Sequence, residues 1–459
     1  MAALPNDVLL LIGEELQRKT DRWSLVFVSK HFHDLFLPLL YRKVSLQGWR
    51  DAASFFYAVL KQPTLARAVR ELDVTKWHAE GVSEYENDNI KNCTLLTQWV
   101  SSVSHSQAEG DRWVECLAQG SSDAWIAIIL PLLTQIRSLH LVYSTSSPHL
   151  DRMMQRVVSG ETPYTNPAFR HLDLVSLHHR EDLDQRDSAE SQEPSSFQLL
   201  LPFFKLPSVR VITANSVVDK APSLDPENLS ETDSPKDGFS SVTEIDLRAS
   251  SGNHGMEMLI ASCAELKSFK YQHSDAHVLS HGYRPSAFHR SLSSSKETLQ
   301  TLWLDHYGSH YPFTAAGLNQ SHDEWFGSLA DFTALREVRV RLMNLLDIRY
   351  QNEPVIPLVD CLPSSLDTLY IERCEERYFG MLVLQLQAVI KSRGRFPKFQ
   401  RVEIEGAFHN DSDENSASSG AVLESAIKNK VLQAAEPLHI DCVNAGMELR
   451  IHDRALSHF

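Results

Sequence analysis

Trp303, Arg339, Arg341 and Tyr370 are the residues whose types and spacing best suit recognition chemistry. They occur in three short segments, "LQTLWL", "LREVRVR" and "LDTLYI", in which apolar residues take the first, fourth and sixth places. In an extended strand, positions beside the second and third apolar residues share the opposite face, so the four side chains project to one side. Aromatic residues and arginine dominate interface energetics. Two arginines on one strand face also suit a carboxylate or a phosphorylated side chain. The alternative is a row of solvated strand positions whose arginines pair with Glu337, Glu372 or Glu403.

Catalytic chemistry has no comparable footing. The chain lacks a GxSxG elbow, a GxxxxGK[ST] loop and a GxGxxG turn, so no activated serine, phosphate cradle or dinucleotide site is indicated. Histidines cluster as His31-x-His33, as His178-His179 and as His306 with His310, none with the ligand number or helical placement of a metal site. The expectation is no metal, no cofactor and no catalytic residue.

The elements that would position these side chains are repeats. The form apolar-x-x-apolar-x-apolar returns ten times, starting at Val69, Ile136, Phe169, Val209, Val242, Leu266, Leu299, Leu335, Leu366 and Phe399. Most intervals lie near 33 residues, and the long first one has room for a degenerate copy. "YRKVSLQGW" and "MELRIHD" are imperfect terminal members. Helical patterns precede most copies: "DAWIAIILPLLTQ", "SSFQLLLPFFKL", "GMEMLIASCAEL", "DEWFGSLADFTAL" and "YFGMLVLQLQAVIKSRG". A strand plus a helix cannot bury its apolar side alone, but stacked copies build a continuous core. An α/β solenoid with a parallel inner sheet is expected over 46–459, the alternative being an ordinary doubly wound sheet. These segments resemble leucine-rich repeats in a divergent form, without the usual closing Asn or Cys and with longer intervals.

Composition sets the surroundings. The net charge of −15 is concentrated in polar stretches near 178–196, 219–240 and 409–420, read as disordered acidic insertions. No basic face for nucleic acid and no membrane-spanning apolar run is present. The six cysteines are scattered without CxxC spacing, the usage of reduced thiols in an intracellular protein, cytoplasmic or nuclear.

Ahead of the repeats stands "LPNDVLLLIGEELQRKTDRWSLVFVSKHFHDLF". Leu4-Pro5 and Asn6-Asp7 mark a helix start, after which Val8, Leu9, Ile12 and Leu16 fall on one face. A second helix begins at Thr20-Asp21, and a third runs through Phe32 and Leu35 to Pro38. So small a unit must lean on the repeats or on a partner.

These residues resemble an F-box over about 2 to 45: Leu-Pro at the start, a helix ending near Leu16, then "VSKHF". With the repeats behind it, the chain is similar to the F-box and leucine-rich repeat proteins abundant in fungi. Those proteins are substrate receptors of SCF-type cullin-RING ubiquitin ligases. The resemblance implies an F-box domain at 1–45 that docks a Skp-family adaptor through Leu4, Pro5, Val8, Leu9, Ile12, Val28, Ser29 and Phe32. Leu4-Pro5 would be the anchor, the repeats would capture a protein substrate, and catalysis would reside in other subunits. The competing reading is a leucine-rich-repeat scaffold with no role in ubiquitination, whose N-terminal helices only cap the first repeat.

Overall fold

The computed structural model describes residues 4–16, 18–78, 80–143, 147–161, 164, 169–179, 195–196, 199–219, 238–274, 283–306, 325–348, 353–408 and 427–453. Nearly all of the three acidic stretches lies outside these residues. Asp219, at the margin of the second, is described and buried. The chain forms two compact units, Met1–Ala214 and Asn215–Phe459.

In the first unit five parallel strands stack in chain order: β1 (Lys43–Ser45), β2 (Glu71–Asp73), β3 (Ser138–Tyr143), β4 (Leu174–His179) and β5 (Val211–Asn215). In the second unit seven do the same: β6 (Glu244–Ser250), β7 (Ser268–His273), β8 (Thr301–His306), β9 (Glu337–Arg341), β10 (Thr368–Cys374), β11 (Arg401–Gly406) and β12 (Glu448–Asp453). Strand order never reverses within either unit, which is the topology of a repeat stack and not of a doubly wound sheet. The apolar places of the motif form the core: Leu302, Leu304, Val338, Val340, Leu369, Ile371, Val402 and Ile404 are at most 1% exposed.

Three readings of the pattern need correction. β2 pairs directly with β3, so the long first interval hides no further strand. Helices Glu84–Lys91, Thr94–Val103 and Gln107–Ala118 occupy it, the first closed by a reciprocal capping box between Ser83 and Glu86. The copy placed at Phe169 is three residues out of register. Leu174 pairs with Ser138, so Leu172, Val175 and Leu177 are the buried places, while Phe169 turns the chain at φ 59°. The pattern "DEWFGSLADFTAL" forms turns and no helix over its described residues 325–335.

The longest helices cover the last repeats. Glu376–Lys391 buries Phe379, Leu382, Val383, Leu386 and Val389, and Asn429–Asn444 buries Val431, Ala435, Leu438 and Cys442. Both follow the three-to-four-residue period of a one-sided helix. All six cysteines are free, and burial pushes the Cys263 and Cys374 thiols up to about 12, which suppresses thiolate chemistry. Among the described residues no helix is long and apolar enough to cross a membrane, and no group of three or more His, Cys, Asp or Glu is placed to hold a metal ion.

Candidate functional site

Three helices open the first unit: Asn6–Glu15, Lys19–Val26 and Lys30–Leu40. Pro38 lies inside the last turn of the third and does not end it. Their shared core is Val26, Phe36, Leu39 and Leu40, with Leu9, Leu10, Leu25, Phe32 and Leu35 packed around it. Gly13 is buried because the Phe36 ring lies against the first helix, where an added Cβ would sit 2.7 Å from it. Arg22 ties the first helix to the second by donating to the carbonyls of Leu16 and Glu14 at 2.8 and 3.1 Å. Ser29 caps the third helix, its Oγ accepting from the Phe32 amide at 3.1 Å.

So small a core leaves much apolar surface uncovered. Val8 and Ile12 lie on the outer side of the first helix, Ile12 at 47% exposure, with Leu4 at 55% just ahead. Val28, at 62%, sits between the second and third helices, and Pro5 and Ser29 are exposed as well. Leu9 and Phe32 instead face inward, half-buried, Phe32 meeting Phe36 edge-on. Leu11, Trp23 and Phe27 are further exposed apolar residues outside the set that the F-box resemblance implies. Phe27 is 76% exposed and stacks on Trp23 at 5.9 Å, a pair at the four-residue spacing that puts two side chains on one helix face.

In the second unit, strand register builds a row across the sheet. Asp246, Lys270, Trp303, Arg339, Tyr370, Glu403 and Arg450 are successive partners on β6 to β12. Lys270 Nζ lies 4.1 Å from the Trp303 ring centroid. Arg339 reaches between two aromatics, its guanidinium carbon 5.3 Å from Trp303 and 4.5 Å from Tyr370. The Trp303 indole donates to Glu337 at 3.1 Å and the Tyr370 hydroxyl to Glu405 at 2.8 Å. His452 stacks on Tyr370 at 6.1 Å and contacts Glu403 at 3.0 Å. The result is an alternating ladder of cations and rings with half-exposed faces.

The next row along the strands is different. Arg341 is only 9% exposed, Glu405 8% and Glu372 2%. Arg341 is therefore not presented beside Arg339: the ladder offers Trp303, Arg339 and Tyr370 at its surface, while Arg341 is buried one row along. Glu372 takes the Arg339 guanidinium as its partner, as one of the alternatives from sequence supposed. Burial, with the Asp305 charge adding to it, pushes the Glu372 carboxyl up to about 8 against the opposing pull of Arg339. Tyr283 is half-buried, with its hydroxyl enclosed within electrostatic reach of Arg341, Asp305 and Glu372, and burial pushes that hydroxyl far above its ordinary range. Lys270, the half-exposed flank of the ladder, was legible only from its place in the motif.

Of the histidine clusters, His310 lies outside the described residues, and His178 is exposed beside Ser176 at 2.9 Å. No curated protein matches the chain. A family model, the leucine-rich repeat domain, matches residues 51–422. That stretch takes in most of the strands of both units and the Trp303, Arg339 and Tyr370 positions of the row. The ten motifs, the ordered parallel strands and this match place the chain in the leucine-rich repeat domain family.

Proposed function

We propose that this leucine-rich repeat protein is a substrate-recognition subunit of an SCF-type cullin-RING ubiquitin ligase. Its N-terminal helices dock a Skp-family adaptor, and its repeats capture a protein substrate. The observation that carries the reading is the set of apolar residues left exposed on the opening helices at the F-box-like positions Leu4, Pro5, Val8, Ile12 and Val28. Leu9 and Phe32 then hold the helices together while the exposed set makes the contact, with Trp23 and Phe27 enlarging it. An uncovered apolar anchor of this kind is what helix-in-groove recognition uses. On the repeats, Trp303, Arg339 and Tyr370, flanked by Lys270, form the substrate surface, since aromatic and arginine side chains supply most interface energy.

The test is capture of a purified Skp-type adaptor by the chain and by a Leu4→Ala, Pro5→Ala variant shown by circular dichroism to remain folded. Binding lost in the folded variant supports the reading, and absence of binding by the parent chain removes it.

The second reading, an interaction scaffold whose helices merely cap the repeats, has its own support. Tyr41, just after the third helix, stacks on Phe55 of the helix Trp49–Lys61 at 6.2 Å, so the opening helices do lean on the first repeat. In that case the adaptor does not bind and deletion of the helices destabilises the first unit.

A further inference from the structure

β12 pairs with β11, and among the described residues no strand lies beyond it. The Glu448 amide donates to the Gln400 carbonyl at 2.8 Å, so the backbone of Glu448, Arg450 and His452 turns toward β11. Alternate residues of a strand bond to opposite sides, which leaves the N–H and C=O groups of Leu449 and Ile451 facing outward. Leu449 and Ile451 are only half-buried, whereas their neighbours in register, Val402 and Ile404, are fully buried.

The helix layer is open on the same side. In Asn429–Asn444, Asp441 accepts from Gln387 of the preceding helix at 2.7 Å, which fixes the side that faces inward along the stack. Half a turn away at 100° per residue lie Leu432 and Val443, with Ile440 beside them, and all three are exposed. Among the described residues, strand edge and helix stripe thus form one apolar end surface whose outward backbone groups meet no further strand, the kind that natural sheets cover or pair.

We propose that this end is covered by a second copy of the same chain, the two β12 strands pairing antiparallel about a two-fold axis at Leu449. The sequence of the edge is self-complementary in that register. Leu449 faces its own copy, Met447 faces Ile451, and Glu448 faces Arg450 twice over. The registers on either side set Arg450 against Arg450 or Glu448 against Glu448, which like-charge repulsion disfavours. Within one chain Arg450 and Glu448 already form an exposed ion pair at 2.6 Å, and Glu448 also meets Arg401 at 2.8 Å, so the pairing joins two such clusters into an alternating square. A two-fold axis perpendicular to the sheet keeps both helix layers on one face, where Leu432 and Val443 of each copy meet those of the other. An isologous contact of this kind closes on itself as a dimer.

The proposal rests on β12 and the last helix and is independent of adaptor docking. Its test is sedimentation equilibrium of the full chain across micromolar concentrations. The expected mass is twice that of one chain. Arg450→Glu, which sets glutamate against Glu448 at both ends, weakens the dimer about tenfold, and the charge-exchanged double variant Glu448→Arg, Arg450→Glu restores it. Leu449→Pro removes an outward N–H without touching the ladder to β11, and it abolishes the dimer while circular dichroism stays unchanged. A chain that is monomeric at every concentration overturns the proposal, as does a dimer that neither substitution weakens.

Discussion

The Arg339 guanidinium lies 4.5 Å above the Tyr370 ring, its register partner on the adjoining strand, while its Nε engages Glu372 two residues further along that strand. One side chain therefore both builds the surface ladder and engages a buried acid. Removing it should expose that double role. Arg339→Met, which keeps the stem but takes the guanidinium away from the buried Glu372 carboxyl and from both rings, should cost about 2 kcal/mol. Combined with Glu372→Gln, the two losses should be less than additive, and a urea-unfolding double-mutant cycle reads the coupling.

The same acid gives stability a pH dependence. Its folded pKa, about 8, is raised above the ordinary carboxylate value by burial and by Asp305, so the folded chain holds a proton there that the unfolded chain releases. Its contribution is full below the ordinary carboxylate pKa and is lost as pH rises through about 8. In Glu372→Gln that decline should flatten, measured as unfolding midpoint against pH, and an unchanged slope would show that Glu372 is ionised throughout.

Exposed and buried phenylalanines of the opening helices should separate cleanly. Phe36→Ala should cost about 3 kcal/mol, since Phe36 fills the small core against Gly13. Phe27→Ala should change stability by less than about 0.5 kcal/mol, given its exposure. Thermal unfolding checks both. A large loss at Phe27 would mean that its ring supports the fold and is not held for a partner.

Gly255 is a backbone requirement. Its φ is 74°, and an added Cβ would sit 2.5 Å from the Ala287 carbonyl carbon and oxygen, which are backbone and cannot swing aside. Gly255→Ala should cost about 3 kcal/mol from the combined strain and overlap. Gly394, with open space around its Cβ position, is the control, and its alanine variant should be near neutral in chemical denaturation.

The repeat stack was legible because each strand needs two buried apolar places, and residues such as Val338 and Val340 announce them without help from distant sequence. The register error at Phe169 arose because Phe169, Leu172 and Leu174 satisfy the same spacing as Leu172, Val175 and Leu177, and only pairing with β3 decides between them. Arg341 is the instructive miss within the site. Alternation assigns it to the face of Arg339, but alternation carries no information about how far along a strand that face stays open. The exposed apolar set at the N-terminus was partly readable: the pattern gave Val8 and Ile12 but could not separate them from inward-facing Leu9, nor promote Phe27.

The unbroken order of β6 to β12 also sets how the second unit comes apart. Each strand bonds only to the copies immediately before and after it, so its contacts are short in sequence and its cooperativity passes from neighbour to neighbour. Opening then proceeds as fraying from an end, and amide exchange should be fastest at Glu448–Asp453 and slowest near β8 to β10, rising inward repeat by repeat. Occupying the last edge would do more than hide it: it would remove the place where unravelling begins.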